Sequence, residues 1–337
     1  MRRCYYKLAI QMSVDKQNNS YNYLNICNRP LEVICLFLVT LLIFYLRDPS
    51  LAKDASTYIK ILSYETPYSG NFGFFYYNQI VHNFLGIRGE SYLILTSIII
   101  LTIFTIAFYR AGITDLRIFF LLSSPAVILL SINGFRQGFA LAFITLFFSC
   151  KSKWTGLIIL SLAYSFHSSA LFIVILGLLL LIFFYKYYLS DWSLFILLPV
   201  SCFIISHFSF PFLIQHNLLY EYSTMNWNAG HTFYERLILY IILFGFIVYR
   251  KYIFPDKIYT SDYFALSTLM IVLVLQDIPY AASRVAYFLE TFLLISVLVR
   301  IPAYSNLNRT LYFAAAIIFA LLIYTDPSIK LQMFDYN

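Results

Sequence analysis

The sequence predicts an all-α membrane protein with about eleven transmembrane helices, and three observations support that prediction. Apolar residues make up 61% of the 337 residues and charged residues 12%, with a mean hydropathy of +0.76. A soluble domain carries about 25% charge, so this chain has too little polar surface to cover a soluble globule. The apolar residues fall into runs near the ~20 residues that cross a bilayer. Basic residues collect in alternate turns between those runs.

The predicted spans follow the apolar runs in order. One helix through all of Trp154–Tyr185 would be about 48 Å long against a hydrocarbon core of ~30 Å, so runs of this length are divided in two. Polar turns at FHSSA, NGFRQG and QDIPYAASR supply the divisions, and Pro279 is expected to end a helix. The spans are 31–46, 91–109, 116–132, 137–150, 154–166, 168–185, 192–209, 237–249, 263–279, 285–299 and 310–325.

Lysine and arginine set the predicted orientation, because short cytoplasmic loops carry an excess of basic residues. With about eleven spans, the turns with a basic excess all fall on the side of the basic N-terminus. We therefore predict that the N-terminus is cytoplasmic and the C-terminus is outside. The predicted organisation is a cytoplasmic tail at 1–29, a single membrane domain at 30–325 with outer-face loops at 47–90 and 210–235, and a periplasmic tail at 326–337.

The stretch Gly73–Gly86, within the first outer loop, is too short and too polar to span a bilayer. It predicts a helix that lies in the outer membrane interface. A re-entrant segment is the alternative.

Three ionisable residues from three different turns converge on the predicted outer face: Arg136, His167 and Arg284. Each has a simple structural interpretation. An arginine at a membrane end can extend to the lipid headgroups, a turn histidine can cap a helix, and Arg284 can pair with Asp277. Together, however, these residue types fit a phosphate ligand, because guanidinium groups bind phosphates through paired charged hydrogen bonds and histidine can accept a proton.

That combination suits a reaction in which a hydroxyl displaces a lipid-linked phosphate. The chain has no P-loop, HExxH, GxSxG or DxD-type pattern. We therefore predict a metal-independent reaction with no cofactor, and no nucleic-acid partner.

Five short patterns follow one another along the chain: KDASTYIKIL, NFGFFYYNQIV, NGFRQGFALAF, AYSFHSSALF and SRVAYFLE. In this order they resemble motifs of the bacterial O-antigen polymerases (Wzy type), in their EpsG-like branch. The second pattern often begins with an acid in that family, whereas this chain has Asn71. The matched residues are Asp54, Tyr58, Asn133, Arg136, Gln137, Ala140, Phe166, His167, Ser169, Arg284 and Phe288.

The resemblance implies a multi-span glycosyltransferase of the GT-C class in the bacterial inner membrane, with its active site facing the periplasm. Such enzymes polymerise oligosaccharide repeat units carried on undecaprenyl pyrophosphate, and a repeat-unit flippase and a chain-length regulator are the implied partners. Resemblance and topology together predict His167, Arg136 and Arg284 as catalytic residues. The predicted substrate-binding residues are Asp54, Tyr58, Gln137, Asp277, Tyr220 and Tyr222.

Alternative functions stay open. An O-antigen ligase, or another glycosyltransferase that uses a polyprenyl-linked sugar, would use the same kinds of residue. A flippase or transporter is a different class, and it would place polar groups near the bilayer midplane and often contain paired repeats. A structural membrane protein without catalysis is the remaining alternative.

Overall fold

Helices make up all the regular secondary structure of the described residues, as the all-α prediction requires. The computed structural model describes residues 34, 37–38, 55–62, 71–113, 116–132, 134–150, 152–186, 193–215, 240–245, 247–248, 260–275 and 279–299. The α-helices are α1 (Ala55–Ile61), α2 (Phe72–Gln79), α3 (Gly89–Arg110), α4 (Leu116–Leu122), α5 (Pro125–Ile132), α6 (Phe135–Phe147), α7 (Lys153–Phe166), α8 (Ser169–Lys186), α9 (Ser193–Gln215), α10 (Thr260–Val274) and α11 (Pro279–Leu298), and a π-helix at Ile80–Phe84 follows α2 directly.

Helix length and hydropathy support part of the predicted membrane topology. Among the described residues, α3 is long and apolar enough to cross a bilayer, and four shorter apolar helical stretches accompany it. These are Phe135–Phe147, Ser169–Phe183, Phe195–His207 and Thr260–Val274. The spans predicted at 31–46 and 310–325 lie almost entirely or entirely outside the described residues. The number of spans and their orientation therefore stay predictions.

The span predicted over 116–132 is wrong as a single helix, because the structure divides it into α4 and α5. Pro125 begins α5, and a proline lacks the N–H that a continuous helix needs and crowds the carbonyl four residues earlier. The backbone groups released at the break find side-chain partners. Ser123 Oγ donates to the Phe120 carbonyl at 3.2 Å, because the Ser124 N–H donates to the Leu121 carbonyl instead, and the Ala126 N–H donates to Glu290 Oε1 at 3.1 Å.

Other helix limits also differ from the predicted spans. α9 continues to Gln215, past the predicted end at residue 209, because the apolar run resumes after Pro211 and a bundle tolerates proline within a helix. α11 begins at Pro279, which is a favoured first position of a helix. The predicted division at FHSSA is confirmed, since α7 ends at Phe166 and α8 begins at Ser169.

The helices pack in two groups that share α8. One group forms around α6, which contacts α3, α5, α7 and α8, and the other around α10, which contacts α8, α9 and α11. Gly138 permits the close approach of α5 and α6, because a Cβ at this position would lie 2.5 Å from the Leu130 carbonyl oxygen. This contact fixes the position of the first turn of α6.

Candidate active site

A cavity of about 670 Å³ lies where the amino end of α6, the α7–α8 turn and α11 meet α10. We call it the polar-mouthed cavity, because its polar residues come from helix ends and a turn, whereas its wall is apolar. Its polar lining residues are Tyr58, Arg136, Gln137, His167, Ser169 and Arg284. Its other lining residues are Gly134, Phe172, Ile173, Leu176, Cys202, Met270, Ile271, Val274, Leu275 and Val285.

The two arginines enter this cavity from different helices. Arg136 lies in the first turn of α6, and Arg284 lies in the first half of α11. Both side chains are half-buried. Gln137 is buried next to Arg136, and its Oε1 accepts a hydrogen bond from Arg284 Nη1 at 3.5 Å. Gln137 therefore links the helix that carries one arginine to the guanidinium of the other.

His167 lies in the turn between α7 and α8, and its ring contacts the first residue of α8. The Ser169 N–H donates to His167 Nδ1 at 3.2 Å, and Ser169 Oγ lies 2.7 Å from the same nitrogen. Burial, and after it the positive charges of Arg136 and Arg284, together lower the pKa of His167 to about 4. The imidazole is therefore neutral at neutral pH.

A cluster of aromatic rings lies behind the polar residues and holds the backbone segments that carry them. The Phe166 ring, next to His167, lies 4.5 Å from the Phe139 ring of α6. The Phe135 ring, next to Arg136, lies 4.7 Å from the Tyr58 ring of α1. Aromatic pairs at these separations contribute about 0.5–1.5 kcal/mol each beyond the area they bury.

α2 packs against the end of α7 that precedes His167. Gly73 makes this possible, since a Cβ there would collide with Ser165 Oγ and come within 3.0 Å of the Phe166 ring. The neighbouring Phe74 ring contacts the Phe166 ring edge-on at 6.5 Å. The Gly73-Phe74 pair of the NFGFFYYNQIV pattern therefore packs α2 directly against the end of α7, next to His167.

The structure brings together the predicted site residues that it describes. Arg136, Gln137, His167, Arg284 and Tyr58 all line the polar-mouthed cavity. The other predicted site residues, Asp54, Asp277, Tyr220 and Tyr222, lie outside the described residues.

Several lining residues were not among the predicted site residues. A sequence pattern could have identified Ser169, because it belongs to the Phe-His-x-Ser pattern and follows His167 by two residues. No sequence pattern identifies the apolar wall, which includes Phe172, Leu176 and Met270. An apolar residue in a predicted span has the same pattern whether it faces lipid or a cavity.

The described lining of the cavity suits an anion. Its ionisable groups are two guanidinium groups, an imidazole, a phenol and the Cys202 thiol, and its described residues include no carboxylate. Arginine offers a planar fork of donors that matches phosphate oxygens. The apolar wall beside these donors can accept a hydrocarbon, so the cavity is complementary to an amphiphilic anion.

Among the described residues, the helical bundle and its apolar helices define the class of protein as a helical membrane protein. The chain belongs to the EpsG family, which it matches over residues 32–336. It is thereby placed among membrane-bound, glycosyltransferase-like polysaccharide polymerases. No curated protein and no solved structure matches the chain at a significant level.

Proposed function

We propose that this protein polymerises oligosaccharide repeat units carried on undecaprenyl pyrophosphate, at the periplasmic face of the bacterial inner membrane, during synthesis of O-antigen or a related surface polysaccharide. The observation that supports this proposal most strongly is the polar-mouthed cavity, where Arg136, Arg284 and His167 lie beside an apolar wall. Family membership supports the polymerase class.

The cavity matches the two chemical parts of such a substrate. A lipid pyrophosphate carries several negative charges next to a branched hydrocarbon. The guanidinium groups of Arg136 and Arg284 supply charged donors for the phosphates. The apolar residues of α8 and α10 supply a surface for the first isoprene units, because hydrocarbon gains free energy in an apolar environment.

The reaction that fits this site is a glycosyl transfer. A hydroxyl of the incoming repeat unit forms a bond to the anomeric carbon of the growing glycan, and the bond from that carbon to the pyrophosphate oxygen breaks. Undecaprenyl pyrophosphate leaves with the bonding electron pair. Arg136 and Arg284 stabilise the charge that develops on the leaving group, and fixed positive groups in a cavity shielded from water do so effectively. We propose that these arginines replace a metal ion in this role.

The orientation belongs to the same proposal. The alternation of basic turns supports a cavity that faces outside, where a flippase would deliver repeat units and a chain-length regulator would act. Reporter fusions near residues 151, 186, 252 and 305 are expected to be cytoplasmic, and fusions near 60, 225 and 330 periplasmic. A cytoplasmic signal at 225 would contradict the proposed span count and the outward-facing site.

The experiment that tests the function uses purified protein in liposomes without an ion gradient. We expect it to convert a lipid-linked repeat unit into glycans longer than one unit and to release undecaprenyl pyrophosphate. Elongation without a gradient would exclude a transporter. Transfer of the glycan only to a supplied lipid A core acceptor would identify a ligase instead, and the absence of any transfer would contradict an enzymatic role.

A further inference from the structure

The hydrogen bonds at Nδ1 of His167 determine which nitrogen carries the proton. A backbone N–H can only donate, so the bond from the Ser169 N–H at 3.2 Å requires a lone pair on Nδ1. The Ser169 hydroxyl at 2.7 Å must then donate as well. The neutral ring therefore has its proton on Nε2.

The turn around His167 is itself fixed, which makes this tautomer a property of the fold. The Ala170 N–H donates to the His167 carbonyl at 3.0 Å, and the Leu171 N–H donates to the Ser168 carbonyl at 3.1 Å. These bonds begin α8 and hold the Ser169 N–H in place next to the ring. Rotation of the imidazole would leave the Ser169 N–H without this acceptor, and backbone N–H groups away from water are almost always paired.

The opposite side of the ring is available to a ligand. Nε2 has no hydrogen-bond partner among the described residues, and His167 lines the cavity together with Arg136 and Arg284. We infer that His167 acts as a neutral imidazole that donates Nε2–H to a phosphate oxygen of the lipid pyrophosphate, rather than as the base that removes the hydroxyl proton. This inference rests on the proposed function.

The charges around the ring support the same assignment. Burial, followed by the two guanidinium groups, opposes a positive charge on His167 and lowers its pKa to about 4. A proton on Nδ1 would also abolish this hydrogen bond, because the Nδ1–H and the Ser169 N–H would then point at each other. Neutral histidines beside helix amino ends serve elsewhere as hydrogen-bond donors to developing oxyanions.

The transfer step balances with a neutral His167. As the bond between the anomeric carbon and the pyrophosphate oxygen breaks, the electron pair moves to that oxygen, which becomes more basic. The hydroxyl proton of the incoming sugar ends on a pyrophosphate oxygen of the leaving lipid. His167 keeps its Nε2 proton throughout and stabilises the leaving group by donating a hydrogen bond.

The tautomer can be observed directly by NMR. We would label the histidines of the full-length protein with ¹⁵N, reconstitute it in nanodiscs, and assign His167 by its loss in His167→Gln. Between about pH 6 and 8 we expect a neutral Nε2–H tautomer. Undecaprenyl pyrophosphate should shift the Nε2 resonance and leave the ring neutral, whereas undecaprenol should not. An imidazolium, an Nδ1–H tautomer, or no shift at Nε2 would overturn the inference.

Two amide substitutions separate the possible roles in an elongation assay. The amide nitrogen of His167→Gln reaches the position of Nε2 and can donate, whereas the amide oxygen of His167→Asn reaches the position of Nδ1 and can only replace the contact with Ser169. If His167 donates a hydrogen bond, His167→Gln should elongate glycans at least about 10-fold faster than His167→Asn, a difference of ~1.4 kcal/mol. Equal or greater activity in Asn would indicate a helix cap, and complete loss in both would indicate a base.

Failure of the inference can be distinguished from failure of the proposed function. If wild-type protein does not elongate lipid-linked repeats, the polymerase proposal fails, but the tautomer and its response to undecaprenyl pyrophosphate are still measured. If wild type elongates and His167→Gln is as inactive as His167→Ala at equal protein levels, the polymerase proposal stands and the donor role is wrong.

Discussion

Two cavities of similar size lie on different faces of α10, and their linings are opposite in character. The polar-mouthed cavity, of about 670 Å³, contains two arginines, a histidine, a glutamine, a serine and a tyrosine. The described lining of the second, of about 830 Å³, consists of apolar side chains, a proline and a glycine. We call it the apolar groove, and its lining residues are Phe195, Ile196, Pro199, Val200, Phe203, Ile241, Phe244, Gly245, Val248, Leu269 and Leu273.

The difference shows where this chain can place chemistry. The apolar groove lies between helix interiors, where an unpaired charge would be costly. The polar-mouthed cavity receives Arg136, His167 and Arg284 from the first turn of α6, the α7–α8 turn and the first half of α11. Free backbone donors and side-chain partners are available at helix ends, so ionisable groups can be held there at lower cost. Size alone therefore does not distinguish the two cavities as candidate sites, whereas the polar lining favours the polar-mouthed cavity.

The largest expected effect comes from the two arginines of the polar-mouthed cavity. Arg136→Lys and Arg284→Lys keep the charge but lose the planar fork of donors. Each change should cost on the order of 2–4 kcal/mol in transition-state stabilisation, roughly 30- to 1000-fold in elongation rate. The measurement is the rate of glycan elongation by purified variants.

Arg88→Lys is the matched control, because Arg88 is exposed and does not line the cavity. We expect its rate to stay within about twofold of wild type, which corresponds to ~0.4 kcal/mol. Near-normal elongation by both cavity variants at normal protein levels would contradict a role for the guanidinium forks.

Glycine substitutions compare the packing beside the two cavities. A methyl group at Gly138 would lie 2.5 Å from the Leu130 carbonyl oxygen, so Gly138→Ala must separate α5 from α6. We expect a loss of about 1–3 kcal/mol in stability and a displaced Arg136. Gly245→Ala adds a methyl where no atom of the described residues lies within 4 Å, so its stability should change by less than about 1 kcal/mol.

Thermal unfolding of both glycine variants in the same detergent tests this comparison. Equal melting temperatures would mean that α5 and α6 can separate without cost, and the close approach at Gly138 would then not position the site.

The smallest expected effect is in the apolar groove. Gly245→Leu would place a side chain into open space between helix interiors. Because the described lining of the groove has no group that can bind an anion, elongation should stay within about twofold of wild type. A loss of tenfold or more, in protein that unfolds at the normal temperature, would show that the groove also takes part in substrate binding.

The sequence predicted the parts of this site that depend on local patterns. The FHSSA turn was evident because two apolar runs meet there, and alternating basic turns placed Arg136, His167 and Arg284 on one side. The described structure then shows these three residues lining the same cavity.

Other features could not be predicted because they depend on tertiary contacts. The break at Pro125 has a local signal in Ser123-Ser124-Pro125, but the acceptor of the Ala126 N–H, Glu290, is distant in sequence. The contact between Ser169 and Nδ1 depends on how α8 begins. The apolar groove has no sequence signal at all, since its residues match ordinary lipid-facing positions.

Binding of undecaprenyl pyrophosphate tests the central claim most directly, because binding requires no acceptor sugar or partner protein. We would measure its affinity for purified wild type, for the Arg136→Lys/Arg284→Lys double variant and for Gly245→Leu. We predict that wild type and Gly245→Leu bind alike, and that the double variant binds at least about 30-fold more weakly, a difference of ~2 kcal/mol. Equal affinity in all three proteins, or a loss confined to Gly245→Leu, would contradict the assignment of the polar-mouthed cavity as the lipid pyrophosphate site.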